Sequence, residues 1–152
     1  MIETRQATIA DVSWILEELL EFSQFYGTKK SLFGSHEHAT DYVTNIVENH
    51  FVLVSETDDK NLTGFIAGLI VNHPFNPDIK LLQELWWWVP EKYRGGRSGL
   101  KLFKDFSAFG DRYCDWTVFT LEDSSPVSDR MLLKTGFKIK ETTYLRESTW
   151  QQ

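Results

Sequence analysis

Residues 94–99, Arg-Gly-Gly-Arg-Ser-Gly, put three glycines and two arginines into six positions. They follow an apolar, aromatic run at 81–89 and precede Leu100, Phe103, Phe106 and Phe109 at a three-residue spacing, with Leu102 and Tyr113 beside them. The run reads as a strand covered on both faces and the spaced residues as an amphipathic helix, so the glycines fall at a strand-to-helix turn. A helix that opens on such a turn presents backbone N–H groups and the positive end of its dipole, which suits an anionic, phosphate-bearing ligand. Arg94 and Arg97 add charge there. The same turn also arises for tight packing alone, so both readings stay open. There is no Gly-Lys-Ser/Thr for a P-loop, and the turn comes too late, after an aromatic strand, for a dinucleotide fingerprint.

Glu84 is the only acid between Asp78 and Glu91. Within an apolar strand, desolvation would raise its pKa and make it a general base, whereas at a strand margin it would pair with Lys80 or a backbone group. Trp86, Trp87 and Trp88 must alternate between faces; core packing is their default role, and a Trp facing a cationic ligand is the other. His36, His38, His50 and His73 have no i, i+4 pairing and no Cys partners, so no metal site is expected. The one cysteine, Cys114, reads as a buried structural thiol.

With Val89 and Tyr93 before it, the 94–99 stretch resembles the signature of the GNAT superfamily of acetyl-CoA-dependent N-acetyltransferases, Arg/Gln-x-x-Gly-x-Gly/Ala. Arg94 and Gly99 match its first and last fixed positions, and Arg97 stands at its middle glycine. The resemblance implies that Arg94, Gly95, Gly96, Arg97, Ser98 and Gly99 hold the pyrophosphate of acetyl-CoA. It further implies that the fourth strand, at Trp88 and Val89, pairs with the pantetheine arm and that the Val89 N–H, at the strand's bulged end, faces the developing oxyanion. Glu84 lies at roughly the family's base position. Leu132 stands where many members have the Tyr that protonates the departing sulfur, and Ser125 where many have Asn, so Tyr144, or else Tyr93, is the substitute acid. The implied activity is direct transfer of an acetyl group from acetyl-CoA to a primary amine on a small molecule or protein, without a metal. The alternatives are a non-catalytic acyl-CoA-binding or protein-interaction module on the same fold and a partner-binding protein that uses its aromatic surface.

The elements that must position these residues follow in order. Residues 2–7 alternate as a strand, and Thr8 to Asp11 reads as a capping box. A helix follows, with Val12, Ile15, Leu16, Leu19, Leu20 and Phe22 inward, Glu17, Glu18, Glu21 and Gln24 in water, and an end near Gly27. Ser35 opens a second helix through Ala39, Tyr42, Val43, Ile46 and Val47. By the resemblance, the loop between them, 25–33, overhangs the acceptor. Residues 51–56 and 62–72 form a hairpin around a polar loop. After the central strand and helix come a strand at 116–121, a short helix at 127–135 capped by Gly136, and strands at about 137–140 and 143–150. This β-α-α-β-β-β-α-β-α-β-β order is the GNAT order: an α/β (α+β) fold with a mixed, mostly antiparallel seven-stranded sheet and four helices on its two faces. The helical crossover between strands four and five makes that pair parallel.

At 152 residues, 41% hydrophobic and with six Trp, the chain is expected to be one domain, 1–152. No apolar run suits a membrane span and the start of the chain lacks the pattern of a leader, so a cytoplasmic protein is expected. A net charge of −6 argues against a general nucleic-acid binder and favours a cationic acceptor. Self-association as a homodimer stays open.

Overall fold

The computed structural model describes residues 1–24, 31–123 and 125–149. Residues 25–30 of the expected acceptor loop, with the expected helix end at Gly27, and Trp150 of the last expected strand lie outside them. Strand β1 (Ile2–Gln6) is followed by a single 3-10 turn (Ile9–Asp11), α1 (Val12–Ser23), α2 (His36–Asn49), β2 (Phe51–Thr57), β3 (Leu62–Asn72) and β4 (Lys80–Trp88). A second 3-10 turn (Glu91–Tyr93) leads to α3 (Ser98–Tyr113), β5 (Trp116–Val118) and α4 (Arg130–Lys134). The strands form one sheet in the order β1-β2-β3-β4-β5, antiparallel except for the parallel β4–β5 pair.

The strict alternation of β2 splits the core in two. Val52 and Val54 join Val12, Ile15, Leu16 and Leu19 of α1 and Val43, Ile46 and Val47 of α2 on one face. Phe51 and Leu53 join Ile66, Leu82, and Leu102 and Phe106 of α3 on the other. The i, i+3, i+4, i+7 spacing of α1 and α3 generates these stripes. Helix α2 starts where Ser35 accepts the His38 N–H at 3.0 Å, relieving one orphan donor of the first turn. Arg5 ties α1 to the sheet: it donates to Asp11 at 2.8 and 3.0 Å and to Glu56 at 3.1 Å, while Asp11 accepts the Thr8 N–H at 2.8 Å. The Arg5 hydrogen bond holds the Asp11 carboxyl below its usual range.

Helix α3 lies unusually close to the sheet. A Cβ on Gly68 would come within 2.6 Å of the Phe106 ring, and one on Gly110 would collide with the Thr117 side chain. Glycine is required at both places by proximity.

The sheet has five strands among the described residues, not the seven expected. Residues 137–149 form no strand, and their apolar side chains cover no layer: Ile139, Tyr144 and Leu145 are 70%, 90% and 76% exposed. Phe137 packs inward, against Phe103 and Phe119. The strand expected at 116–121 ends at Val118, and the short helix occupies Arg130–Lys134 rather than 127–135.

Candidate active site

The parallel ladder runs from Leu81↔Trp116 to Gln83↔Val118. Beyond it β4 and the chain after β5 diverge, and a cleft of about 80 Å³ opens between them, with Phe22, Glu84, Trp87, Thr120, Glu122 and Pro126 in its walls. Glu84 is the first β4 residue past the ladder and is only 7% exposed. Burial pushes its carboxyl up to about 8; the Thr120 N–H, donating at 3.3 Å, opposes that rise and the Glu122 charge adds to it. A carboxyl that ionises near neutrality and sits in a cleft is suited to take a proton from an amine.

An irregularity in β4 decides which rings line the site. Gly68 pairs with Glu84 and Ala67 with Trp86, so Leu85 is the extra residue of a β-bulge. Trp86 and Trp88 therefore face α1 and α2, while Trp87 turns to α3 and stacks on Phe103. The Trp88 indole N–H donates to Glu18 at 2.9 Å, and Phe22 meets its ring edge-on at 5.7 Å. Glu18, expected in water, is thus partly buried against β4. The register shift lies at Leu85, whereas Val89 immediately follows Trp88, the last residue in register with β3.

Beyond β4, the Arg94 guanidinium carbon lies 4.6 Å from the centre of the Trp88 ring, and its Nε donates to the Val89 carbonyl at 2.9 Å. Gly95 has φ +82°, a left-handed conformation that a side chain would strain. Gly96 approaches the Tyr93 carbonyl, where an added Cβ would come to 3.3 Å, and Arg97 is the N-cap of α3. Arg94 and Arg97 are both exposed. Lys101 N–H donates to the Arg97 carbonyl at 3.0 Å, so the amides of Ser98, Gly99 and Leu100 occupy the first turn, where a helix offers its own N–H groups no acceptors. Ser98 turns its hydroxyl inward to Thr63 at 2.8 Å, and Thr63 meets Ser55 at 2.9 Å. Its backbone, not its side chain, faces the loop.

The structure thus brings Glu84 and Trp88 to one cleft and places Val89 and the 94–99 loop just past the end of β4. Tyr144 is not among the residues lining the cleft and is 90% exposed; Leu132 is buried in α4. Phe22, Thr120 and Glu122 were not singled out by sequence. Thr120 acts through its backbone and Glu122 through its charge at a distance, which no residue spacing discloses. Among the described residues no group of three or more His, Cys, Asp or Glu side chains is placed to hold a metal ion, and no helix is long and apolar enough to cross a membrane.

No protein-family model matches this sequence, and no curated protein does. Solved structures match over nearly the full length. An acetyltransferase from Trypanosoma brucei is 16% identical with a TM-score of 0.73, covering 97% of this chain and 100% of that one. A ribosomal-protein-alanine N-acetyltransferase from Brucella melitensis biovar Abortus 2308 is 14% identical with a TM-score of 0.69, covering 97% and 99%. An aminoglycoside acetyltransferase from an uncultured soil metagenomic sample is 12% identical with a TM-score of 0.70, covering 99% and 97%. A parallel β4–β5 pair joined through α3, a glycine-rich entry to α3 and these likenesses together give the chain the GNAT fold expected from residues 94–99.

Proposed function

We propose that this protein is an acetyl-CoA-dependent N-acetyltransferase that acts on a primary amine by direct transfer in a ternary complex. The observation that carries the reading is Glu84, a buried carboxyl that ionises at about 8, in the cleft where β4 and β5 part. The residues at the end of β4 fit the co-substrate: the first-turn amides of α3 and the exposed Arg94 and Arg97 suit a pyrophosphate, and the diverging strand leaves room for an extended arm.

When bound, acetyl-CoA supplies a thioester carbonyl that the amine nitrogen attacks, forming C–N as C–S breaks and releasing the CoA thiolate. Ionised Glu84 takes the proton the nitrogen must lose, directly or through one water. The Val89 N–H stabilises the negative charge that grows on the carbonyl oxygen. The thiolate, with a thiol pKa of about 8.5, leaves at neutral pH and takes its proton from solvent. Trp88, fixed between Phe22, Glu18 and Arg94, holds the end of β4 in place.

A second reading, a non-catalytic acyl-CoA-binding module, draws on Leu132 and on the exposure of Tyr144, which leave no positioned acid for the sulfur. Two measurements separate them. Thermal shift with acetyl-CoA and with CoA reads binding, and CoA release over a panel of amines reads turnover. Turnover with any amine establishes the enzyme, whereas binding without turnover on all of them leaves the module.

A further inference from the structure

A second cavity, of about 340 Å³, lies between α1, α2 and β4. We infer that it receives the apolar body of the acceptor, so that the amine acetylated is a single primary amine on a compact aliphatic or aromatic body, not a polyamine or an aminoglycoside. The inference rests on the acetyl-transfer reading for the reaction, but not for the binding.

Position is the first argument. Phe22 lines both this cavity and the Glu84 cleft, and consecutive residues of β4, Leu85 and Trp86, line the cleft and the cavity respectively. A molecule seated in the cavity is thus one side chain away from the base. Chemistry is the second. Leu16, Leu19, Val43 and Trp86 make the interior, while Tyr42 and Leu32, both about half exposed, stand at the rim. Among the described residues no Asp or Glu lines the space. A polycation would therefore have to strip water from several charges with no counter-charge to meet them, which costs several kcal/mol per ion. Size is the third. The volume falls within the range of small-ligand pockets, and at about 30 Å³ for each water-sized group it holds roughly ten heavy atoms. The overall charge of −6 draws a monocation toward the protein without requiring a second charge to be buried.

The test is calorimetric titration of the protein, without acetyl-CoA, with phenylethylamine, a tripeptide beginning with Phe, spermidine and kanamycin, followed by CoA release with each. Phenylethylamine, the tripeptide or both are expected to bind, and the difference between them tells whether the body is a free amine or an N-terminal residue. Ala39→Phe, which fills the cavity from α2, is expected to weaken that binding at least tenfold without changing acetyl-CoA binding. If this variant does not fold, Tyr42→Ala at the rim is expected to weaken it several-fold. Binding of neither apolar amine, equal binding by the folded variants, or CoA release with spermidine or kanamycin alone overturns the inference. Apolar amines that bind in the cavity with no CoA release from any amine support it and sink the acetyl-transfer reading instead.

Discussion

The Thr120 amide donates to the Glu84 carboxylate at 3.3 Å, two residues past Val118, where the β4–β5 ladder ends. This long bond only partly offsets the burial of the carboxyl, which stays protonated up to about 8. The rate of acetyl transfer is therefore expected to rise with pH through about 8. Glu84→Gln should lower the rate by about 10² to 10⁴ and leave only the titration of the amine in the profile. The check is CoA release against pH in both proteins; identical profiles in a folded variant would remove Glu84 from the reaction.

The same group makes stability depend on pH. In the unfolded chain it loses its proton near 4.5, and in the folded protein near 8. Between those values the folded state binds more protons, so stability falls as pH rises through the window and levels off above it. Glu84→Gln is expected to match the wild type at about pH 4 and to exceed it by a few kcal/mol at about pH 9. Denaturant midpoints across this range measure the difference, and a variant less stable than the wild type at the alkaline end would show the carboxylate to be stabilising.

At the head of α3, a Cβ on Gly99 would meet Val89 Cγ2 at an ordinary 3.5 Å. Gly99→Ala should therefore fold, while Gly99→Val, with its branched side chain over the first-turn amides, should abolish CoA binding. Arg97→Ala should cost about 1.5 to 3 kcal/mol, one charge-assisted contact. Titration with CoA compares all three; normal binding by Gly99→Val would make the loop purely structural.

Tyr144 is the next test, because its ring stands in solvent. Tyr144→Phe is expected to turn over at the wild-type rate, the thiolate leaving with a solvent proton. A tenfold or greater fall in kcat would bring the Tyr144 hydroxyl to the sulfur.

Gly68 pairs with Glu84 across the ladder and abuts the fully buried Phe106. Gly68→Ala should displace that ring and cost about 1 to 3 kcal/mol, the usual range for overpacking. The urea midpoint reads it, and a change within experimental scatter would mean that α3 can move away from the sheet.

The sequence disclosed what depends on local periodicity. The inward stripe of α1, except for Leu20, which is 47% exposed, the Ser35 cap, the hairpin of β2 and β3 and the isolation of Glu84 all follow from spacing or from a single polar residue among apolar ones. What it hid depends on a partner far along the chain. Glu18 has the surface spacing of its neighbours, yet it accepts from an indole seventy positions away. Phe22 is legible as an inward residue of α1, but its place between two cavities is set by β4. The segment after Phe137 carries only scattered apolar residues, Ile139, Tyr144 and Leu145, and these do not supply a neighbouring edge or a layer to cover.

Leu85 also bears on how length variation would act on this protein. Because β4 uses one more residue than β3 at that point, removing Leu85 would restore strict pairing while leaving Glu84, Trp86, Trp87 and Trp88 on the sides they now occupy. Removing any one residue between Leu81 and Gln83, or Trp87, would instead reverse the parity of part of the strand and turn side chains to the wrong layer, whereas removing Trp86 would leave Leu85, which packs on the same layer, in its place. Of the single-residue deletions in β4, that of Leu85 is thus expected to be tolerated with Glu84 and all three Trp rings kept on their present sides.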